Sequence, residues 1–361
     1  MSANFSQLCR MNFGSTIIRW YHVNKRDLPW RNSNNPYFIW LSEIILQQTR
    51  VDQGMSYYYK FIQKYPTIEK LASAKEDDVL KLWQGLGYYS RARNLHHTAK
   101  EIVKKHNGKF PDDENLLLSL KGIGDYTAGA ILSFAFHKKF PVVDGNVYRL
   151  LSRYFGIVTP IDSPKAKKEF FLLAGELMEN HPPSDFNQGI MEFGSRQCKP
   201  QNPDCIACPL VSTCIAFAEK KVNQLPVKNK KSAIRNRYFS YLVIQQKGKL
   251  LINKRSKKDI WQNLHDFPLI ETSKKISKKR IMTCPEWKAL FGKSNAKVIS
   301  VSSEHKHLLS HQTIHAKFYH VHLEDKKILM KENDFMLVSE QAIKKYAVPK
   351  LIENFLKKEF D

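Results

Sequence analysis

The sequence predicts a mainly α-helical first domain that ends in a four-cysteine loop, and a smaller α+β domain after it. Apolar residues recur at intervals of three and four up to about residue 218, as at Ile39, Trp40, Ile44 and Ile45, and this is the helical period. Four cysteines fall within 17 positions just before that limit. A chain of 361 residues is too long for one ordinary core, so two or three domains are expected.

The composition places the boundary between the domains at a basic stretch. Residues 219–237 are weakly apolar and contain Pro226, Lys230, Lys231 and Arg237, so we interpret them as a linker between domains 1–218 and 238–361. In the second domain, residues 238–245, 250–255 and 313–323 are predicted strands, and helical spacing resumes at 339–356, where Pro349 should begin a new helix.

The net charge of +24 makes a polyanion the natural partner, although a solvated lysine-rich surface would give the same balance. No run approaches the 18 or more apolar residues that a membrane span needs. The first residues contain no apolar signal segment, so we expect a bacterial cytoplasmic protein, associated with the nucleoid by inference.

The cysteine loop predicts a metal site. Its cysteines are separated by six, two and five residues, and this includes one C-x-x-C pair where most structural zinc ribbons use two. The spacing therefore favours a [4Fe–4S] cluster over zinc. Two disulfides in a secreted protein are the alternative, but no signal segment is present and Cys9 and Cys284 stand isolated. The predicted ligands are Cys198, Cys205, Cys208 and Cys214.

A glycine-containing turn follows an apolar helix that should end near Ser119. Gly122 and Gly124 stand at the start of a second predicted helix, residues 125–136. Two glycines at a helix start expose backbone N–H groups at the positive end of the helix dipole, where they can hold a phosphate. An ordinary turn between two helices is the plainer interpretation.

Two carboxylates are candidate catalytic groups. Asp144 follows Pro141, where a helix has ended, and should lie near the glycine turn. Glu43 lies inside a strongly apolar helix, so it either turns outward or occupies a partly buried pocket in which its pKa would rise. Taken singly, each could be a helix cap or a solvated charge. Cleavage of an N-glycosidic bond needs such a pair, one acid to protonate the leaving base and one carboxylate to stabilise the cationic sugar.

Five separated segments and the cysteine loop resemble the adenine DNA glycosylases of the MutY type, which belong to the helix-hairpin-helix, iron–sulfur base-excision superfamily. The resemblance covers residues 5–218 strongly and the tail more weakly, and Lys121 stands where the family usually has proline. The segments are L-P-W-R (28–31), S-E-I-I-L-Q-Q-T (42–49), G-L-G-Y-Y (85–89), G-I-G-D-Y-T-A (122–128) and V-D-G-N-V (143–147).

The resemblance implies catalytic roles for four residues. Glu43 would protonate N7 of a flipped adenine, and Asp144 would stabilise the oxocarbenium ion or form a transient adduct. Asn146 would orient Asp144 or the water, and Tyr126 would support the sugar side of the pocket. Bifunctional lyases carry a nucleophilic lysine at position 126, so a tyrosine there implies base removal with little true lyase activity.

The resemblance also implies residues that contact DNA. A base in a duplex must be rotated out before it can react. Gln48 and Tyr88 would enter the base stack, while Trp30 and Arg31 would line the pocket. Core packing is the alternative role for Tyr88, because this part of the chain is rich in tyrosine.

Residues 261–268, W-Q-N-L-H-D-F-P, resemble a segment of the Nudix-like domain that recognises 8-oxoguanine in this family. Asn263 and His265 replace the usual Gly and Trp. The glutamate-rich helix of a working Nudix hydrolase is missing, so the domain should recognise a lesion and not hydrolyse a nucleotide. Ser310 and His311 match a short F-S-H loop that contacts the oxidised guanine, with Leu309 in place of the aromatic residue.

The sequence thus predicts a monomeric, monofunctional glycosylase that removes adenine opposite 8-oxoguanine or guanine in double-stranded DNA during base-excision repair. Two alternatives stay open. One is an endonuclease III-like glycosylase and lyase for oxidised pyrimidines, against which Tyr126 and the tail argue. The other is a non-catalytic iron–sulfur protein that binds DNA, against which the presence of both Glu43 and Asp144 argues.

Overall fold

A computed structural model describes residues 3–229, 234–292, 294–323 and 335–360. The chain divides into two compact units. The first comprises Met1–Ala72 and His97–Lys230, and the second comprises Ser73–His96 and Lys231–Asp361.

The first unit is helical, as the sequence predicts. Helix α5 belongs to the second unit and helix α6 contributes to both. The helices up to the cysteine loop are α1 (Ala3–Asn24), α2 (Pro36–Leu46), α3 (Val51–Lys64), α4 (Ile68–Ser73), α5 (Glu76–Leu82), α6 (Ser90–His106), α7 (Glu114–Ser119), α8 (Asp125–Phe134), α9 (Gly145–Phe155), α10 (Pro164–Met178) and α11 (Pro183–Arg196). Two short 3₁₀ turns (Pro29–Arg31 and Val211–Thr213) and helix α12 (Ile215–Ala218) complete the unit.

Two apolar clusters fix the helices that bear the candidate site. Phe13 of α1, Leu151 of α9, Phe170 of α10 and Phe193 of α11 are fully buried together. A smaller cluster, which includes Ile39 of α2 with Ala130 and Phe134 of α8, joins those two helices. Burial of large apolar side chains stabilises each contact by roughly 1.5–3 kcal/mol per side chain. Helices α2, α8 and α9 are therefore held in place by these apolar contacts.

The second unit is a mixed sheet with helices. Strand β1 pairs in parallel with β7 along the centre, and the order of the main path is β3-β2-β1-β7-β5, with β4 on β1, β6 on β7 and β8 on β2. Its elements are β1 (Arg235–Gln246), β2 (Lys249–Lys254), β3 (His265–Asp266), β4 (Leu269–Thr272), α13 (Lys278–Ile281), α14 (Pro285–Phe291), β5 (Ala296–Val301), β6 (His305–Leu308), β7 (Gln312–Leu323), β8 (Phe335–Ser339), α15 (Glu340–Ile343) and α16 (Lys350–Phe360).

The predicted fold class is confirmed, and so are the three predicted strands and the helix after Pro349. The helix predicted at 125–136 ends at Phe134. Arg237, which the sequence assigned to the linker, lies in β1, where it is paired with Ile314 of β7, and its guanidinium contacts Asp259 and Glu271. Lys230 and Lys231 lie outside the described residues.

The domain limits 1–218, 219–237 and 238–361 stay a prediction, since the division into compact units follows contacts and places Ser73–His96 with the tail. None of the helices in the described part of the chain has both the length and the hydropathy of a membrane-crossing segment.

Candidate active site

A cavity of about 480 Å³ in the first unit brings together six of the residues predicted from the sequence. This volume is within the range of small-molecule pockets. Elements far apart in the chain form its wall: the 3₁₀ turn Pro29–Arg31, α2, α8, the start of α9, and α11. The six predicted residues that line it are Trp30, Arg31, Glu43, Tyr126, Asp144 and Asn146.

Glu43 faces this cavity from the middle of α2 and is only 7% exposed. Its Oε2 accepts a hydrogen bond of 2.7 Å from the Tyr126 hydroxyl. Burial raises the pKa of Glu43 to about 7, and the Tyr126 hydrogen bond opposes that rise. The Asp144 charge raises this pKa further, so the two carboxyl groups are close enough to interact. At neutral pH Glu43 can therefore hold a proton and release it.

Asp144 is the N-cap of α9 and also lines the cavity, so the helix cap and the catalytic role are compatible. Its Oδ1 accepts hydrogen bonds from the backbone N–H groups of Asn146 and Val147, both at 2.8 Å, and its Oδ2 accepts one from the Asn146 side chain at 2.7 Å. Burial raises the pKa of Asp144, and these three hydrogen bonds oppose the rise. Donors aimed at both oxygens favour an ionised carboxylate in a fixed orientation.

Asn146 is itself held by the next turn of α9. Arg149 donates to Asn146 Oδ1 at 2.9 Å and to the Cys198 carbonyl at 2.8 Å. A continuous set of hydrogen bonds thus runs from Asp144 to the backbone of the cysteine loop.

The opposite wall of the cavity carries an ion cluster that the sequence analysis missed. Glu192 of α11 is 1% exposed and accepts hydrogen bonds from Arg26 at 2.7 Å and from Arg31 at 2.8 Å. Burial would raise the pKa of Glu192, but the two arginines outweigh it and lower the pKa to about 2. Gln188, one turn earlier, also lines the cavity. The helix carries several other polar residues, so no local signal singled these two out.

The glycine turn presents backbone at the surface, as predicted. Gly122 has a φ of +85°, and a Cβ built on Gly124 would meet nothing within 4 Å. Ile123 anchors the turn in the core, where it is 5% exposed. Gln48 lies outside the cavity, exposed, with a φ of +56°.

The cysteine loop gathers all four predicted ligands around one small cavity. All four are free thiols, so the disulfide alternative is not formed. Arg153 closes the cavity, with Nη1 3.5 Å from the Cys198 sulfur and 2.7 Å from the Lys199 carbonyl. Four convergent thiols are a donor set that suits an iron–sulfur cluster. Across the described ranges, no three His, Cys, Asp or Glu side chains are placed to hold a metal ion.

Three predicted contact residues lie in the second unit. Tyr88 is 49% exposed and has a φ of +48°, so it does not pack in the core. Its hydroxyl is 2.6 Å from the Ser310 hydroxyl. Ser310 and His311 are exposed in the turn between β6 and β7.

Comparison with known proteins identifies two domain families in the chain. Residues 41–173 match the family described as HhH-GPD superfamily base excision DNA repair protein, and residues 240–358 match the NUDIX domain. The adenine DNA glycosylase of Buchnera aphidicola subsp. Schizaphis graminum is 39% identical over 310 residues, which cover 84% of this chain and 85% of the relative.

A human relative and a solved structure extend the comparison. The adenine DNA glycosylase of Homo sapiens is 42% identical over 222 residues, or 59% of this chain and 41% of that protein. A structure described as a thermostable thymine-DNA glycosylase aligns with a TM-score of 0.56 at 31% identity, covering 59% of this chain and 99% of the other.

Proposed function

Because the chain belongs to the adenine DNA glycosylase family, we propose that it removes adenine paired with 8-oxoguanine or guanine by hydrolysing the N-glycosidic bond in duplex DNA. That it is a DNA glycosylase, a hydrolase of N-glycosyl bonds that acts on DNA, follows from the family. The preference for these two mispairs, the residue roles and action as a monomer are the proposal.

One observation carries the catalytic assignment: Glu43 and Asp144 face the same cavity in different electrostatic settings. Glu43 has a pKa of about 7 and serves as the acid that protonates N7 of the extruded adenine. Asp144, held by three hydrogen bonds, stays ionised beside the sugar and stabilises the oxocarbenium ion as the base departs. Water then adds to the sugar carbon, and its proton passes to a carboxylate.

Tyr126 and Asn146 support these two groups. Tyr126 occupies the position at which the lyase branch carries a lysine, and its hydroxyl donates to Glu43. Among the described residues that line the cavity there is no lysine, so no amine is available to form an imine with the sugar. This favours simple base removal over the endonuclease III-like alternative.

The DNA-binding roles rest on exposure, backbone and charge. Gly122 and Gly124 present N–H groups at the start of α8 to a phosphate. Gln48 and Tyr88, both exposed and in left-handed backbone conformations, project into the base stack, and Trp30 and Arg31 close around the flipped base. Ser310 and His311 contact the base opposite the adenine.

Glycosylases of the endonuclease III and MutY group are generally iron–sulfur proteins. We propose that Cys198, Cys205, Cys208 and Cys214 hold a [4Fe–4S] cluster here. Such a group cross-links the loop through four thiolates. The residues of this chain that the loop then fixes are Arg149 and, through it, Asn146.

A single-turnover assay tests the substrate assignment. The duplexes carry adenine opposite 8-oxoguanine, adenine opposite guanine, or thymine glycol, each read with and without alkali. We expect strand breaks only after alkali, and only in the first two duplexes, because base removal leaves an abasic site that alkali cleaves. Breaks in the thymine glycol duplex without alkali would instead establish the lyase alternative.

A further inference from the structure

A partly buried ion chain in the second unit fixes the first half of the loop between β2 and β3. Arg237 bonds Glu271 at 2.7 Å and Asp259 at 3.1 Å, while Arg255 bonds Asp259 and Asp266, each at 2.6 Å. Asp259, near the middle of the loop, thus accepts hydrogen bonds from both arginines. A charge network of this kind holds backbone in one arrangement because each partner, once displaced, would be left buried and unpaired.

The middle of this loop supports strand β6. The Trp261 ring is 4% exposed and lies 5.6 Å, between centroids, from the His307 ring of β6. Strand β6 ends at Leu308, two residues before Ser310. The loop therefore supports the strand that carries Ser310 into its turn.

The end of the same loop, next to β3, binds the segment Ser73–His96. The Asn263 side-chain amide donates to Glu76 Oε1 at 2.5 Å, and the Gln262 carbonyl accepts from Arg93 at 2.8 Å. Asn263 has a φ of +66°, a conformation that asparagine tolerates better than most residues. Here the residue that replaces the family's usual glycine adds a side-chain bond that glycine cannot make.

One loop therefore contacts both the segment that contains Tyr88 and the strand that precedes Ser310. Tyr88 lies in the segment that the end of the loop binds, and Ser310 follows the strand that Trp261 supports. We propose that Asn263 and Glu76 are positioning residues that hold Tyr88 against Ser310 and thereby set the preference for 8-oxoguanine over guanine opposite the adenine. This inference rests on the proposed function.

The test compares excision rates for adenine opposite 8-oxoguanine and opposite guanine in full-length variants. Asn263→Gly removes the amide but keeps a residue suited to positive φ. Glu76→Ala removes the acceptor from the other side. We expect each to lower the ratio of the two rates by about three- to tenfold, the worth of one hydrogen bond, with the rate opposite guanine unchanged within about twofold.

Two further variants separate positioning from a general effect on structure. Asn263→Asp sets a carboxylate against Glu76 and should lower the ratio further, and adding Glu76→Gln should restore part of it. Asn107→Gly, an exposed asparagine with a φ of +52° in the first unit, is the matched control and should leave the ratio unchanged. In a Ser310→Ala background, Asn263→Gly should have no additional effect on the ratio.

The outcomes distinguish the two proposals. If the wild-type enzyme prefers 8-oxoguanine and Asn263→Gly and Glu76→Ala keep that preference, the positioning role is wrong while the proposed function stands. A parallel fall of both rates also contradicts it, since that is what a structural role alone would give. If the wild-type enzyme removes adenine from neither duplex, the proposed function fails first and the positioning role falls with it.

Discussion

A carboxyl group in the catalytic cavity of the first unit and one in the ion chain of the second have pKa values that are shifted in opposite directions. Asp259 accepts from two arginines, which outweigh the effect of burial and lower its pKa. Glu43 is bonded by the neutral Tyr126 hydroxyl, and burial raises its pKa to about 7. Burial opposes ionisation of both carboxyl groups, so the difference follows from their hydrogen-bond partners. A carboxylate bonded by two arginines stays ionised and organises the structure, whereas Glu43, bonded by a neutral hydroxyl, can keep a proton for transfer.

Each region also contains a carboxyl group whose pKa is shifted in the other direction. The direction of the shift therefore depends on the contacts of each group and not on the domain in which it lies. Glu192 shares the cavity with Glu43 but is bonded by two arginines, and its pKa falls to about 2. Asp266, at the end of the ion chain, is bonded by Arg255 alone, and burial raises its pKa to about 7. Two guanidinium partners lower the pKa of Asp259 and of Glu192, whereas Glu43 with none and Asp266 with one both keep a raised pKa.

The largest effect should come from removing the proton or the charge in the cavity. Glu43→Gln and Asp144→Asn should each reduce single-turnover excision by roughly 10²–10⁴-fold, because general acid and electrostatic contributions have that size. Duplex affinity should change little, since the contacts with phosphates and with the base stack are assigned to other residues. Glu69→Gln, an exposed glutamate of the same unit, is the control. Wild-type turnover in either site variant would remove that residue from the mechanism.

A smaller effect, on stability, should follow from breaking the ion chain. Arg237→Met leaves Asp259 with one arginine and Glu271 with none, so the free energy of unfolding of the second unit should fall. We expect a loss of about 3 kcal/mol, the lower end for a buried pair, because Glu271 is partly exposed. Denaturant titration measures it, with Arg235→Met, an exposed arginine two positions earlier in β1, as control. Equal stability of the two variants would show that the ion chain contributes nothing to the free energy of unfolding.

These contrasts also mark what the sequence could and could not reveal. Periodicity and turn residues predicted the helices, the strands and the helix after Pro349, because these are local properties. Glu43 and Asp144 were found because each lies in a short contiguous motif. Glu192 was missed, since its partner Arg26 lies 166 positions away and nothing local marks the pair.

The same limit explains two further differences. Arg237 was assigned to a linker because its partners Asp259 and Glu271 come 22 and 34 positions later. Asn263 was noticed as a departure from the family pattern, but its contact with Glu76 spans 187 positions. Burial and long-range pairing, which set the pKa values here, are properties of the tertiary structure.

The smallest effect should be on stability, because burial of Glu43 without an arginine partner lowers the free energy of unfolding when Glu43 is ionised. Its pKa is raised from 4.5 in the unfolded chain to about 7 in the folded one, so the folded state is most favoured below pH 4.5 and loses that advantage as the pH rises through 7. At pH 8 the free energy of unfolding of Glu43→Gln should therefore exceed that of the wild type by about 1–2 kcal/mol, after subtraction of the charge-assisted hydrogen bond with Tyr126 that the variant loses. Denaturant titration measures the difference. At pH 4.5 the gain should vanish.

The matched change at a carboxylate paired with arginines, Glu192→Gln, should lower stability at pH 8, because it removes the charge that pairs with two arginines. A Glu43→Gln variant no more stable than the wild type at pH 8 would mean that Glu43 carries no raised pKa, and the contrast between the two regions would then fail at its catalytic end.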